Sequence, residues 1–178
     1  MKTIICFPPE GGGNHCKNIL EFTEENFDTY VDLYKGKDTK DVHAQGGNNL
    51  TKEKFNQNNL LLGHFGEIMS FRAEISSIDK RWILISPDTY ECRSILYERG
   101  RLLKLDTYHD HEQVFLYEPH MYHRYFGSPM NNIMNISVYE WFADNIDEVL
   151  DRLSFFLSRD IDKEKANYLH QLWKAKIV

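Results

Sequence analysis

The stretch TIICFPPEGGGNHCKNIL, residues 3–20, decides the fold. Ile4, Ile5, Cys6 and Phe7 form an apolar run of strand length that Pro8 and Pro9 stop. Three glycines follow, and Cys16, Ile19 and Leu20 return at helical spacing, so the order is strand, loop, helix. A loop that leads from a strand into a helix N-terminus offers unpaired N–H groups at the positive end of the helix dipole. Gly11, Gly12 and Gly13 can form such a nest for an anion, with Asn14 and His15 as side-chain donors. On this reading a Cβ at Gly12 would intrude on the anion. The competing reading is a tight turn that binds nothing. The GxxxxGK[ST] pattern of nucleoside triphosphatases is missing, which disfavours ordinary ATP or GTP hydrolysis.

Beyond the loop, Phe27, Tyr30, Val31 and Tyr34 extend a helical period in a second piece, which Thr23 is placed to cap. The polar segment from Tyr34 to Asn59 is long for a passive connection and reads as mobile or as a lid. LLLGHF (60–65) and RWILIS (81–86) read as buried strands, with a helix-compatible stretch between them. After Pro87 a helix is expected with Asp88 as its cap and Gly100 as a dividing point. IMNISV (133–138) is a last strand. A helix whose stripe runs Phe142, Ile146, Val149, Leu150, Leu153 and Phe156 follows it, and then a final helix from about Asp162 with Ala166, Leu169 and Trp173 inward. Strands alternating with helices predict an α/β fold, a mainly parallel sheet flanked by helices, in one domain spanning residues 1–178.

The 178 residues, 42% apolar, suffice for one core of ordinary size. Twenty-one Lys and Arg against 27 Asp and Glu give a net charge of −6, which argues against broad attraction to nucleic acid or acidic membranes. A phosphorylated ligand must therefore be held locally. No apolar run approaches the roughly 18 residues of a membrane span and no leader is evident, so a cytoplasmic protein is expected. Cys6, Cys16 and Cys92 fit neither a disulfide framework nor a CxxC zinc site, and Cys6 and Cys16 read as core thiols.

PEGGGNHCKNIL, residues 9–20, resembles the first loop of the sulfotransferases, P-K-S-G-T-T-W-L-x-x-I-L, with Gly12 at the glycine position and Ile19 and Leu20 at the apolar pair. Glu10 stands where that family has a lysine or arginine. LLLGHFGE places His64 where many members have the histidine that takes the acceptor's proton, work to which the imidazole side chain is suited in general. ILISPDTYECRS is similar to the family's third strand and its R-N-P-x-D-x-x-x-S continuation, with Ser94 and, in place of the missing arginine, Arg93. NISVYEWFADNIDEVLDRLSFFLSRDID, residues 135–162, is the best match, while the R-K-G-x-x-G-D-W-K segment is absent.

The resemblance implies a three-layer P-loop-like sheet and 3′-phosphoadenosine 5′-phosphosulfate as donor to an unknown hydroxyl or amine acceptor. His64 would be the base and the amides from Gly11 to Asn14 would hold the phosphosulfate. Arg93 and Ser94 would hold the 3′-phosphate, and Lys17 is a candidate for the displaced cation; no metal is expected. Two alternatives stay open. One is a kinase-like phosphotransferase, which magnesium dependence would distinguish, and the other is a non-catalytic nucleotide-binding or protein-interaction module on the same fold.

The run from Thr107 to Phe126 holds His109, Asp110, His111, Glu112, His120 and His123, ligand types for zinc or iron, although HExxH is absent. Tyr117, Tyr122, Tyr125 and Phe126 read either as an adenine platform or as core. No Gly-x-Ser-x-Gly elbow is present, which disfavours acyl transfer by a triad.

Overall fold

A computed structural model describes residues 1–8, 11–36, 50–87, 89–102 and 117–176, with the backbone alone at 90 and 99–102. Pro9, Glu10, Asp88, most of the expected lid (37–49), and His109, Asp110, His111 and Glu112 lie outside the described residues.

β1 (Lys2–Cys6) is the apolar run of the opening stretch, and α1 (Gly13–Glu21) is its helix. Among the described residues the chain continues through α2 (Phe27–Lys35), α3 (Lys52–Gln57), β2 (Leu60–Gly63), α4 (Phe65–Ser70), α5 (Arg72–Ser76) and β3 (Lys80–Ser86). It goes on through α6 (Tyr90–Leu102), α7 (Pro119–Phe126), β4 (Ile133–Ser137), α8 (Val138–Trp141), α9 (Asp147–Leu157) and α10 (Lys163–Lys174). The strands form one all-parallel sheet in the order β2-β1-β3-β4.

The pleat sorts side chains by alternation. Ile5, Phe7, Ile83, Ile85, Met134 and Ile136 face one core, which α1, α2, α6, α8, α9 and α10 cover. Ile4, Cys6, Leu61, Trp82 and Leu84 face the other, covered by α3, α4, α5 and α7. Helices thus flank the sheet on both faces. Because β2 and β3 lie on opposite sides of β1, strand order reverses at β1, and the crevice beyond its carboxyl end and that of β3 is where an open α/β sheet offers a site.

Several local expectations are corrected. Thr23 is not a helix cap; Asn26 is the N-cap of α2, and its Oδ1 accepts from the Thr23 N–H at 2.6 Å. α6 runs through Gly100 without dividing. The stripe placed in one helix from Phe142 spans two, since α8 ends at Trp141 and Ile146 is the N-cap of α9. The final helix begins as expected, with the Asp162 carboxylate accepting from Lys165 N at 3.1 Å. Among the described residues no helix is long and apolar enough to cross a membrane.

Candidate functional site

The loop after β1 turns on itself before the helix starts. Gly11 N donates to the Pro8 carbonyl at 2.9 Å, and Cys16 N donates to the Gly12 carbonyl at 3.0 Å, which opens α1. Gly12 is the helix N-cap with φ 76° and ψ 25°, a left-handed conformation that strains any residue with a Cβ, and being glycine it offers no side chain to cap the helix. Its neighbours are aromatic. A Cβ at Gly12 would lie 2.8 Å from the Trp173 ring and 2.9 Å from Trp141 Nε1, and one at Gly13 would lie 2.2 Å from the Phe7 ring. Absence of a side chain here lets β1, α8 and α10 close on the loop.

His15, in the first turn of α1, is buried and belongs to a chain of hydrogen bonds inside the molecule. His170 Nε2 lies 2.9 Å from the Ala143 carbonyl, which can only accept, so that nitrogen carries the proton. His170 Nδ1 then accepts from His15 Nε2 at 3.0 Å, and His15 Nδ1 accepts from the Tyr34 hydroxyl at 2.7 Å. Asn18 Nδ2 completes the chain by donating to the Tyr34 oxygen at 3.0 Å. The direction of donation runs one way from Asn18 to Ala143, with both imidazoles neutral. Burial, ahead of the opposing Ala143 hydrogen bond, pushes His170 down to about 4, and burial also raises the Tyr34 phenol. Trp173 stacks on His15 with centroids 4.3 Å apart and planes at 10°. His15 therefore supports the loop from inside, and both its ring nitrogens are committed there.

His64 follows β2, whose Gly63 is in register with Cys6 of β1, so it arrives beside Phe7. Its Nδ1 lies 3.0 Å from the Phe7 carbonyl and its ring packs on the Phe7 ring at 4.5 Å. The carbonyl accepts, so Nδ1 carries the proton and Nε2 is the basic nitrogen. Glu67 braces the backbone by accepting from His64 N at 3.0 Å.

Arg93 and Ser94 sit on α6, directly after β3 on the other side of β1. Arg93 is half-buried and Ser94 is exposed. The Arg93 Nε is sealed from water without a hydrogen-bond partner. Asn14 is half-buried in the first turn of α1. Lys17 pairs with Glu21 at 3.5 Å, which draws its ammonium toward the C-terminal end of the helix, away from the loop. The fold thus brings the glycine loop, His64 and Arg93 to the carboxyl ends of three adjacent strands.

The aromatic run divides. Tyr117, Tyr122 and Phe126 are core, and Tyr122 donates to Cys6 Sγ at 3.0 Å and packs on Trp82 at 4.8 Å. Tyr125 lies beneath the Arg72 guanidinium. His120 pairs at the surface with Glu118 at 3.1 Å, and His123 Nδ1 donates to the Ser128 carbonyl at 2.8 Å. Among the described residues no three potential ligands converge for a metal. Cys6 and Cys16 are buried, and burial pushes both thiols up to about 12. Two shallow grooves, one beside Ile133, Arg152 and Phe155 and one beside Phe27, Lys165 and Tyr168, share no residue with the loop edge.

Trp141 and His170 are the residues that sequence reasoning missed. His170 lies four residues beyond Ala166 and shares its inward face, a readable signal; the tie to His15, 155 residues away, is not. Comparison with family models, curated proteins and solved structures finds no match for this chain. The class it falls in is defined by its fold, an α/β protein with an all-parallel sheet and a loop-to-helix edge at the strand-order reversal.

Proposed function

We propose that the protein is a P-loop-like, sulfotransferase-like transferase that binds an adenosine phosphosulfate donor at the carboxyl edge of the sheet and passes its sulfonyl group to a hydroxyl or amine. The observation that carries this reading is His64: with Nδ1 bonded to the Phe7 carbonyl, Nε2 is left as a base beside the residue that opens the glycine loop. In the reaction the acceptor's proton moves to His64 Nε2 as its oxygen or nitrogen bonds to sulfur. The bond from sulfur to the bridging phosphate oxygen breaks, and adenosine 3′,5′-bisphosphate leaves. With the Gly11 amide taken by the Pro8 carbonyl, the amides of residues 12–14 face the charge that develops on the leaving phosphate, and Arg93, with Ser94 beside it on α6, meets the 3′-phosphate. With Glu10 at the place of the family's cation, these donors carry the electrostatic work.

A second reading, a non-catalytic binding module, is favoured by the aromatic rings behind Gly12 and Gly13, since packing alone accounts for those glycines. The two separate in one experiment. Calorimetric titration with adenosine 3′,5′-bisphosphate is expected to give a dissociation constant on the order of micromolar without magnesium, and Arg93→Gln is expected to weaken it about tenfold or more. His64→Asn, which keeps a donor for Phe7, should bind as the wild type does but release no bisphosphate from the phosphosulfate donor across a panel of phenols, alcohols and amines. Equal turnover in His64→Asn would remove the base assignment, binding without turnover in the wild type would favour a nucleotide-binding module, and absent binding would end the transferase reading and favour a protein-interaction module.

A further inference from the structure

We infer that Trp141 is a ligand-binding residue whose indole N–H donates to an oxyanion seated over the N-terminus of α1, an inference that rests on the donor site just proposed. Trp141 is 0% exposed, yet its Nε1 has no hydrogen-bond partner. Buried polar groups in folded proteins are nearly always paired, so an orphan donor calls for an explanation. Trp82 follows that rule, with its Nε1 donating to Ser128 Oγ at 2.7 Å.

The surroundings of Trp141 define what is missing. Its Nε1 lies 2.9 Å from the place a Gly12 Cβ would take, so the N–H edge faces the N-cap of α1. The His15 and His170 rings are near, with centroids 5.4 and 5.8 Å away, but their four nitrogens are already committed in the one-way chain from Asn18 to Ala143. Neither imidazole can accept from the indole. The Gly12 carbonyl accepts from Cys16 N, and Gly12, as the N-cap, brings no side chain to the helix end. Among the described residues, the unpaired group at this point is thus an N–H donor beside a helix's positive end. Among the described residues the other buried side-chain atom without a partner, Arg93 Nε, is also a donor and stands at the same sheet edge.

A group that satisfies only donors must carry several acceptors and negative charge, which is the chemistry of a phosphate or sulfate. The free protein holds the indole unpaired, and the ligand supplies the acceptor, so affinity depends on the indole nitrogen as well as on backbone amides.

The test follows the assigned indole N–H signals of the full chain by nuclear magnetic resonance. Adenosine 3′,5′-bisphosphate and inorganic phosphate are titrated in parallel, with calorimetry on the same samples. The Trp141 signal is expected to move downfield and saturate at the calorimetric stoichiometry while the Trp82 signal stays in place. Trp141→Phe is expected to bind the bisphosphate about tenfold or more weakly. A bisphosphate that binds by calorimetry while the Trp141 signal stays still would overturn this inference and leave the donor site standing. No binding of either probe would overturn both. If Trp141→Phe does not fold, the wild-type spectrum decides alone.

Discussion

At the scale of single residues, Gly12, Gly13 and His170 carry the sharpest expectations. Gly13→Ala drives a methyl into the Phe7 ring, and Gly12→Ala adds a left-handed backbone penalty to a clash with Trp173. Each should cost about 2–4 kcal/mol, combining overpacking with strain. Gly66→Ala is the control, since nothing lies within 4 Å of its Cβ and it sits in α4; it should be neutral or add about 0.5–1 kcal/mol. Urea denaturation of the three variants checks the ordering. His170 makes stability depend on pH. Its folded pKa of about 4 lies below the ordinary histidine value, so the unfolded chain binds the proton more readily and folding favours the neutral ring. The contribution is complete above about pH 6.5 and is lost as pH falls toward 4, amounting to about 3 kcal/mol. The groups around the ring are His15, the Ala143 carbonyl, Asp144 and Lys174, and a proton on Nδ1 would face the donating nitrogen of His15. Urea curves at pH 7 and pH 4.5 should show the loss in the wild type and a smaller one in His170→Asn; equal losses would assign the acid sensitivity elsewhere.

At the scale of elements, periodicity made all four strands and the last helix legible, because continuous apolar runs of strand length and a stripe at Ala166, Leu169 and Trp173 need no tertiary knowledge. Boundaries failed where local chemistry outweighed the stripe. Phe142 and Ile146 keep helical spacing, yet α8 stops at Trp141, and the chain restarts only after Asn145 Oδ1 accepts from Asp147 N at 2.7 Å. Gly100 read as a breaker, but one glycine costs a helix interior only about 1 kcal/mol and α6 absorbs it. The candidate site was legible in part. The order of strand, glycines and helix pointed to the carboxyl edge, and the apolar run before His64 put that residue at a strand end, while its role as base came from the family register alone. Nothing local indicated that rings from α8 and α10 fill the space where a Gly12 side chain would sit, so a methyl there clashes with tryptophans and tests packing before it tests binding.

At the scale of the whole molecule, the net charge of −6 opposes the approach of an anionic donor, while the groups that would hold it act only at short range. Association with adenosine 3′,5′-bisphosphate is therefore expected to speed up as salt rises from low values to about 0.15 M, where the screening length is about 8 Å. Stopped-flow traces that follow tryptophan emission can read this; a rate that falls with salt would mean that the edge's own positive field governs entry. Topology has a further consequence. β1 pairs with β2 and β3 through partners such as Thr3 with Leu60 and Lys2 with Lys80, and none of its ladder is local. The loop that leaves β1 is closed by Trp173 and tied through His15 to His170, 155 residues away. At about 5–20 residues per second of synthesis, that separation amounts to a delay of roughly 8–30 seconds. During that interval a growing chain has made Gly12 but not the ring that packs behind it. The part of the fold that begins first is thus the part finished last, and a ribosome that stalls before α10 would leave the glycine loop without its inner wall.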